Sequence, residues 1–478
     1  MSYLRLLLLQ ALKPVILVTI LVINGSVALA QQPGKTDVIY SGLPWYDQYG
    51  NVVSAHGGSI IKEKKLFYFF GEAHTDTSNA FVGFNCYSSK DLYNWKFEKI
   101  ALPVQTNGKL GPNRIGERPK LMKNPQTGEF LMFMHVDTLG YKDQFVGYAT
   151  SRNITGPYQF KGPLLFDGKP IKKWDMGVFQ DDDGKGYLLT HGGVIHQLSD
   201  DYHSIVAETN KQITTGFESP TLLKKGNIYY FIGSHLTSWE KNDNYYYTSK
   251  SLAGPWVSRG LIAPKDQLTW NSQSTFVLKL AGRKDTTYMF MGDRWSYPRQ
   301  LSAATYVWQP IRFDHDVLFM PKYFAAWNID LKTGLSTEKK LAFREINNDN
   351  PQLKFNGTWN ESVTNSHKVS RSDAQNSSCS FRFHGTQIGL QTVVLPDNGY
   401  ANIILTDKNG KVLVKNLIDM YSKVPAARIV FLSPVWPKAE YKLTISTAGE
   451  RPNWSDKKKT VYGSTANHIT ISKLIIKE

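Results

Sequence analysis

SAHGGSIIKEKKLFYFFGE, residues 54–72, is the stretch on which the fold turns. A polar, Gly-rich lead, Ser54 to Gly58, runs into an apolar strand; a charged turn follows, then an aromatic strand from Leu66 to Phe70. The layout returns four times: GERPKLMKNPQTGEFLMFMH (116–135), WDMGVFQDDDGKGYLLTHG (174–192), FESPTLLKKGNIYYFIGSH (217–235) and NSQSTFVLKLAGRKDTTYMFMGD (271–293). Each copy reads polar lead, strand, tight turn, strand, the signature of a hairpin. The leading residues are His56, Glu117, Asp175, Glu218 and Gln273, spaced 61, 58, 43 and 55 apart. Third-strand and turn segments follow most hairpins, as in YSSKDLYNWKF (87–97) and YTSKSLAGPWVS (247–258). Five units, each roughly 40–60 residues and about four strands, predict an all-β, five-bladed β-propeller, placed here at residues 36–340. The innermost strands of such a fold face one axis, so the five leading residues converge on one funnel.

Around 335–350 the pattern stops in a polar, turn-rich stretch that reads as a linker. Residues 350–478 alternate strictly in several runs, such as YANIILTDKNGKVLVKN, which predicts a C-terminal β-sandwich of jelly-roll type. Residues 1–30 read as a signal peptide: Arg5 and Lys13 flank a leucine run, PVILVTILVI is the apolar centre, and Ala28-Leu29-Ala30 is the cleavage site. An exported protein, periplasmic or extracellular, with no membrane span after signal removal, is the expectation.

The chain has 478 residues and a formal charge of +16. No Arg-rich tract or RNA-type motif accompanies that charge, which argues against a nucleic-acid partner. Two cysteines, Cys86 and Cys379, make neither a disulfide framework nor a zinc site. Aromatic content of 13% fits a β-rich core and also sugar stacking. DDDG at 181–184 lies in a hairpin turn and lacks the later Glu of a calcium loop, so it reads as a turn. No metal and no cofactor are implied.

Three acids lead sheets: Glu117, Asp175 and Glu218. Glycoside hydrolysis needs a protonated acid at the leaving oxygen and, with inversion, a base that activates water from the other face. Carboxylates gathered in one funnel raise one another's pKa, which keeps one protonated near neutral pH.

HGGSII, GERPKLM, WDMGVFQDDDGKGYLL, FESPTLLKKGNIYYFIGSHLTSW and SQSTFVL with YMFMGDRW resemble glycoside hydrolase family 43, within its exo-β-1,3-galactanase-like subfamily, over about residues 40–335. The resemblance implies an inverting enzyme that releases galactose from the end of a β-1,3-galactan, as in the arabinogalactan backbone. It implies Glu218 as general acid and Asp175 as the modulator of its pKa. The wider family keeps its base as an Asp near His56; this chain lacks it, as the subfamily does. Gln273 or Glu117 then stands on the base side. An amide is a weak base in its usual form, so Gln273 would either hold a water by hydrogen bonds or act through an imidic tautomer. Glu117 reads as base or as a sugar-binding carboxylate, with Arg118 as its expected ion-pair partner. Tyr141, Thr237, Trp239 and Trp295 follow inner hairpins as candidate sugar contacts, and His56 is another. Two rival readings stand beside this one: another family-43 activity (an arabinofuranosidase or other galactosidase), or a non-catalytic glycan-binding propeller.

Overall fold

The computed structural model describes residues 32–478, so the predicted signal peptide lies outside the described residues. Strands dominate; among the described residues helical structure is confined to Gly108–Leu110 and Leu268–Asn271. Five antiparallel sheets follow one another along the chain. The first holds His56–Glu63, Leu66–Glu72, Gly83–Ser89 and Lys96–Pro103, and the second Arg114–Lys123, Phe130–Thr138, Phe145–Ser151 and Gln159–Pro163. The third holds Met176–Gln180, Gly186–Thr190, Val194–Leu198 and Ile205–Asn210, with Leu165–Phe166 and Lys169–Pro170 added at its edge. The fourth holds Phe217–Lys225, Ile228–His235, Tyr245–Ser249 and Val257–Leu261, and the fifth Gln273–Ala281, Thr286–Arg294, Thr305–Asp314 and Val317–Phe319.

Burial falls from the inner strands outward. Phe130–Thr138 is buried at every residue but its last, whereas Val257–Leu261 is exposed at every residue but its last. A strand covered on both faces reads as a near-continuous apolar run, as FLMFMHV does. The apolar clusters lie between sheets. Ile60, Phe67 and Phe69 of the first sheet pack with Met289, Met291 and Trp308 of the fifth. Phe84 and Cys86 pack with Met132 and Met134, joining first to second, and Leu131 and Phe133 pack with Val178 and Leu188, joining second to third. Leu189 packs with Phe217 and Phe231, and Tyr230 and Ile232 with Val277 and Phe290. The leading strands touch in the same order, and the fifth touches the first. Truncating one such aromatic, Phe69→Ala for instance, should cost about 3–5 kcal/mol.

Ile39–Tyr40 pairs with Ala326–Asp330, which in turn pairs with Leu335–Glu338. The predicted linker therefore holds two short strands, Leu335–Glu338 and Arg344–Asn347, separated by irregular chain. Arg344–Asn347 already forms the edge of the C-terminal sheets, ahead of residue 350, with only Ile346 buried. One C-terminal sheet runs Arg344–Asn347, Lys473–Lys477, Gln387–Val394, Ala426–Leu432. The other runs Lys354–Asn356, Ser378–Gly385, Ala439–Thr447, Tyr400–Asp407, Val412–Asp419. Both feed one core, in which Ile388, Leu390 and Phe431 meet Phe381, Ile403 and Leu443, as in a sandwich. Cys86 and Cys379 are free buried thiols in separate cores. No helix among the described residues is long and apolar enough to cross a membrane.

Candidate active site

The same local irregularity shapes three of the leading strands. His56 pairs with Glu72, Glu117 with His135 and Glu218 with Ser234; the register then breaks before Ser59, Lys120 and Thr221. The residue after each leading residue is left-handed: Gly57 at φ 61°, Arg118 at 54° and Ser219 at 55°. Such a bulge bends the strand and re-aims its side chains, and a non-Gly residue in this region is held there by its surroundings. In the first sheet that residue is a glycine, and a Cβ on Gly57 would lie 2.2 Å from Oε1 of Glu72, so the carboxylate would have to move.

Each turned N–H donates to a carboxylate of the preceding sheet. Gly57 N–H reaches Oδ2 of Asp293 at 3.0 Å, Arg118 N–H reaches Oε1 of Glu72 at 2.8 Å, and Ser219 N–H reaches Oδ2 of Asp175 at 2.9 Å. Asp175 is thus a joint between sheets as well as a charge in the site. Burial, which outweighs the pull of Arg118 and Lys120, pushes Asp293 up to about 7. Lys120, buried beside Arg118, is pulled down to about 7, and its Nζ donates to Gly57 O.

Glu72, Glu117, Arg118, Asp175, Glu218 and Gln273 line one cavity of about 450 Å³, walled further by Tyr141, Trp174, Trp239 and Trp295. That volume is of the size that holds small ligands. Glu218 is 7% exposed. Burial first, then the charge of Asp175, drives its carboxyl well above the usual range, against the pull of Arg118 and the Gln273 hydrogen bond. A carboxyl shifted in this direction holds its proton to higher pH than an ordinary glutamate, which is what a proton donor needs.

Glu117 goes the other way. Burial opposes its ionisation, but His135 and then the Tyr141 hydroxyl hold it below the usual carboxylate range. Oε2 meets His135 Nδ1 at 3.0 Å, and Oε1 accepts from Tyr141 Oη at 2.7 Å and Asn79 Nδ2 at 3.2 Å. His135 lies between Glu117 and Asp137; against the effect of burial, the two carboxylates push it up to about 9. A carboxylate tied to an imidazolium is weakly basic and well suited to accept hydroxyl hydrogens.

Gln273 uses all its hydrogen-bonding capacity. Nε2 donates to Oε1 of Glu218 and to Oγ of Ser234, both at 3.0 Å. Oε1 accepts from Arg118 Nη2 at 2.6 Å and Trp295 Nε1 at 2.9 Å. Arg and Trp only donate, so the amide cannot be flipped.

Arg118 departs from expectation. Its guanidinium pairs with Asp175 Oδ1 and Gln273 rather than with Glu117. His56 does not line the cavity; it is fully buried and stacked on Tyr306, with centroids 4.4 Å apart. The Thr237 hydroxyl donates to Glu240 O and accepts from Asn242, while its backbone amide faces Glu218. Trp239 and Trp295 meet edge to face at 5.3 Å on the wall, beside Tyr141.

Sequence reading missed Glu72, His135, Asp137 and Asp293. The signal was present: in FFGE, FMHVD and FMGD a polar residue ends the second strand of the hairpin. In an antiparallel hairpin that residue stands opposite the leading residue, as Glu72, His135, Ser234 and Asp293 do.

A buried carboxyl pushed toward its neutral form, across an aromatic-walled cavity from one held toward its ionised form, fits the class of glycoside hydrolases. The profile of glycosyl hydrolases family 43 matches residues 50–279. The chain is similar to the exo-β-1,3-galactanase of Phanerochaete chrysosporium solved with galactose, at 26% identity over 92% of this chain and 100% of that one, TM-score 0.67. It is 31% identical to a family-43 β-1,3-galactosidase solved with galactodeoxynojirimycin, over 59% of this chain and 98% of that one, TM-score 0.55. A β-D-galactofuranosidase of Aspergillus niger is 29% identical over 191 residues, 37% of this chain; the chain matches 55% of that relative's length. The chain belongs to glycoside hydrolase family 43.

Proposed function

We propose that the protein is an exo-acting, inverting enzyme that releases galactose from β-1,3-galactan, with Glu218 as general acid. The observation that carries the reading is Glu218: among the cavity carboxyls it is the one driven toward the neutral form, by burial and then by Asp175. Asp175 tunes it and fixes Ser219 beside it. Glu117 accepts sugar hydroxyls, because its tie to His135 weakens it as a base. Gln273 holds the attacking water once sugar has parted it from Glu218; an inverting displacement needs roughly 6.5–9.5 Å between the two sides. The part-exposed Trp239 offers an apolar face to the sugar ring, and buried Trp295 braces it edge to face. The linkage is supported by the galactanase and galactosidase relatives.

The five sheets are read as the blades of a closed propeller over residues 36–340, supported by apolar clusters between successive sheets and by the bond from Gly57 to Asp293. The C-terminal sheets are an accessory domain, and the leader-like residues 1–30 support export.

The test is incubation with β-1,3-galactan, with galactose followed by chromatography and its first anomer by NMR. Release of galactose with inversion, reduced about 10²–10⁴-fold in Glu218→Gln, is expected. Tight binding without release would favour the non-catalytic reading, for which the fully engaged Gln273 amide is the one specific observation.

A further inference from the structure

The C-terminal sheets reach the catalytic cavity. Their hairpin Asn453–Ser455/Val461–Gly463 carries Lys457 in its turn. Lys457 lines the cavity beside Tyr141; its Nζ donates to Tyr141 O at 3.1 Å and lies 6.0 Å from the Tyr141 ring centre. A second cavity, about 780 Å³, opens between this hairpin and the loop of Tyr297. The two cavities share Tyr141, Ser238, Trp239 and Lys457, so one continues into the other.

Aromatic rings follow the same path. Trp239 stacks on Tyr297 at 5.4 Å and 7°, Tyr297 meets Trp454 edge to face at 6.2 Å, and Trp454 stacks on Tyr462 at 5.8 Å. The loops on the catalytic side are braced from the same direction. Tyr421 Oη donates to Oε2 of Glu240 at 2.7 Å, Ser296 Oγ donates to Oδ2 of Asp419 at 2.9 Å, and Arg299 Nε donates to Oε2 of Glu450 at 2.8 Å. A domain tied only through a linker would need none of these bonds.

We propose that this hairpin carries a subsite for the leaving-group sugars, so that the C-terminal sheets complete the catalytic site. The occupant is the part of a β-1,3-linked galactose chain beyond the cleaved bond. Only the terminal sugar enters the acid-lined cavity of an exo-acting enzyme, and the following sugars leave it along the shared residues Trp239 and Lys457. There the sugars meet the part-exposed Trp239 and Tyr297, which Trp454 and Tyr462 back from behind, and the exposed Lys457 and Asn453 reach hydroxyls. The proposal rests on the galactanase reading.

The test compares kcat/KM on β-1,3-galactobiose and β-1,3-galactotetraose for the full-length enzyme, Lys457→Ala and Trp454→Leu. The expected wild-type ratio favours the tetraose at least fivefold, and the ratio falls toward one in the variants. Trp454 is buried, so Trp454→Leu can weaken the fold; Lys457 is exposed and its variant keeps the proposal falsifiable. A wild-type ratio of one, or a wild-type ratio kept in both variants, overturns the subsite. Hydrolysis of neither oligosaccharide by the wild type overturns the galactanase reading beneath it.

Discussion

Glu117 and Glu218 occupy the same position of the repeat. Each sits on a leading strand, ahead of a bulge and of a left-handed residue, Arg118 at φ 54° or Ser219 at 55°. Both side chains enter one cavity. Yet one carboxyl is held ionised and the other is driven toward the neutral form. The difference lies across the strand. Glu117 faces His135, cationic between two carboxylates; Glu218 faces Ser234, which has no charge to offer. For Glu218, burial and the repulsion of Asp175 outweigh the pull of Arg118 and raise the carboxyl's pKa. Repeat position places the acid, and the opposite strand chooses its protonation state.

The strongest attempt to break this comparison is Glu218→Gln. An amide there keeps shape and loses the proton, so galactose release should fall about 10²–10⁴-fold, with an unchanged circular dichroism spectrum. Glu117→Gln should cost less and act mainly through KM. Equal losses in kcat would show that the two acids share the proton work.

Asp175→Asn probes what raises Glu218. Removing the Asp175 charge lowers the Glu218 pKa, so the alkaline limb of kcat/KM should move to lower pH, with a loss of roughly 10–100-fold at neutral pH. The Arg118 guanidinium also loses its buried partner, at a cost of about 3–5 kcal/mol in stability. A pH profile unmoved from wild type would leave Asp175 as a joint between sheets and nothing more.

His135→Gln makes the second-sheet site resemble the fourth. Without the imidazolium, Glu117 loses the chief group holding it ionised, and its pKa should rise. The expected result is a KM raised about tenfold, equivalent to ~1.4 kcal/mol, and more strongly so at acid pH. An unchanged KM across pH would remove Glu117 from sugar binding.

Much of this was legible from one repeated pattern. Period-2 alternation and turn residues mark the hairpins, because a strand buried on one or both faces has to show that burial in its composition. The same alignment places Glu117, Asp175, Glu218 and Gln273 on one cavity. His56, aligned with them and ahead of the same bulge, is instead packed on Tyr306, and its cross-strand partner Glu72 lines the cavity. The destination of the Arg118 side chain was not legible. A left-handed backbone at a residue other than glycine leaves no mark in its letter, and it sends the guanidinium to Asp175. The hairpin at 453–463 was equally silent, since its neighbours come from chain segments hundreds of residues away.

The smallest effect gives the sharpest form of the comparison, because the two acids should move stability in opposite directions. Glu218 has a folded pKa raised above its ordinary value. Below that ordinary value, near 4.5, folded and unfolded chains both hold the proton. As pH rises the unfolded chain releases it first, so stability is lost up to the raised folded pKa. Gln never titrates, so the Tm of Glu218→Gln should climb relative to wild type from about pH 4.5 upward. Glu117 has a lowered folded pKa, so its contribution is present above 4.5 and lost as pH falls through the folded value. The Tm of Glu117→Gln should therefore lie below wild type at neutral pH, with the gap closing in acid. Shifts on the order of 2–4 °C per kcal/mol are expected, readable by calorimetry from pH 4 to 8. Two variants that shift together would mean that burial alone, and not the residue across the strand, sets both carboxyls.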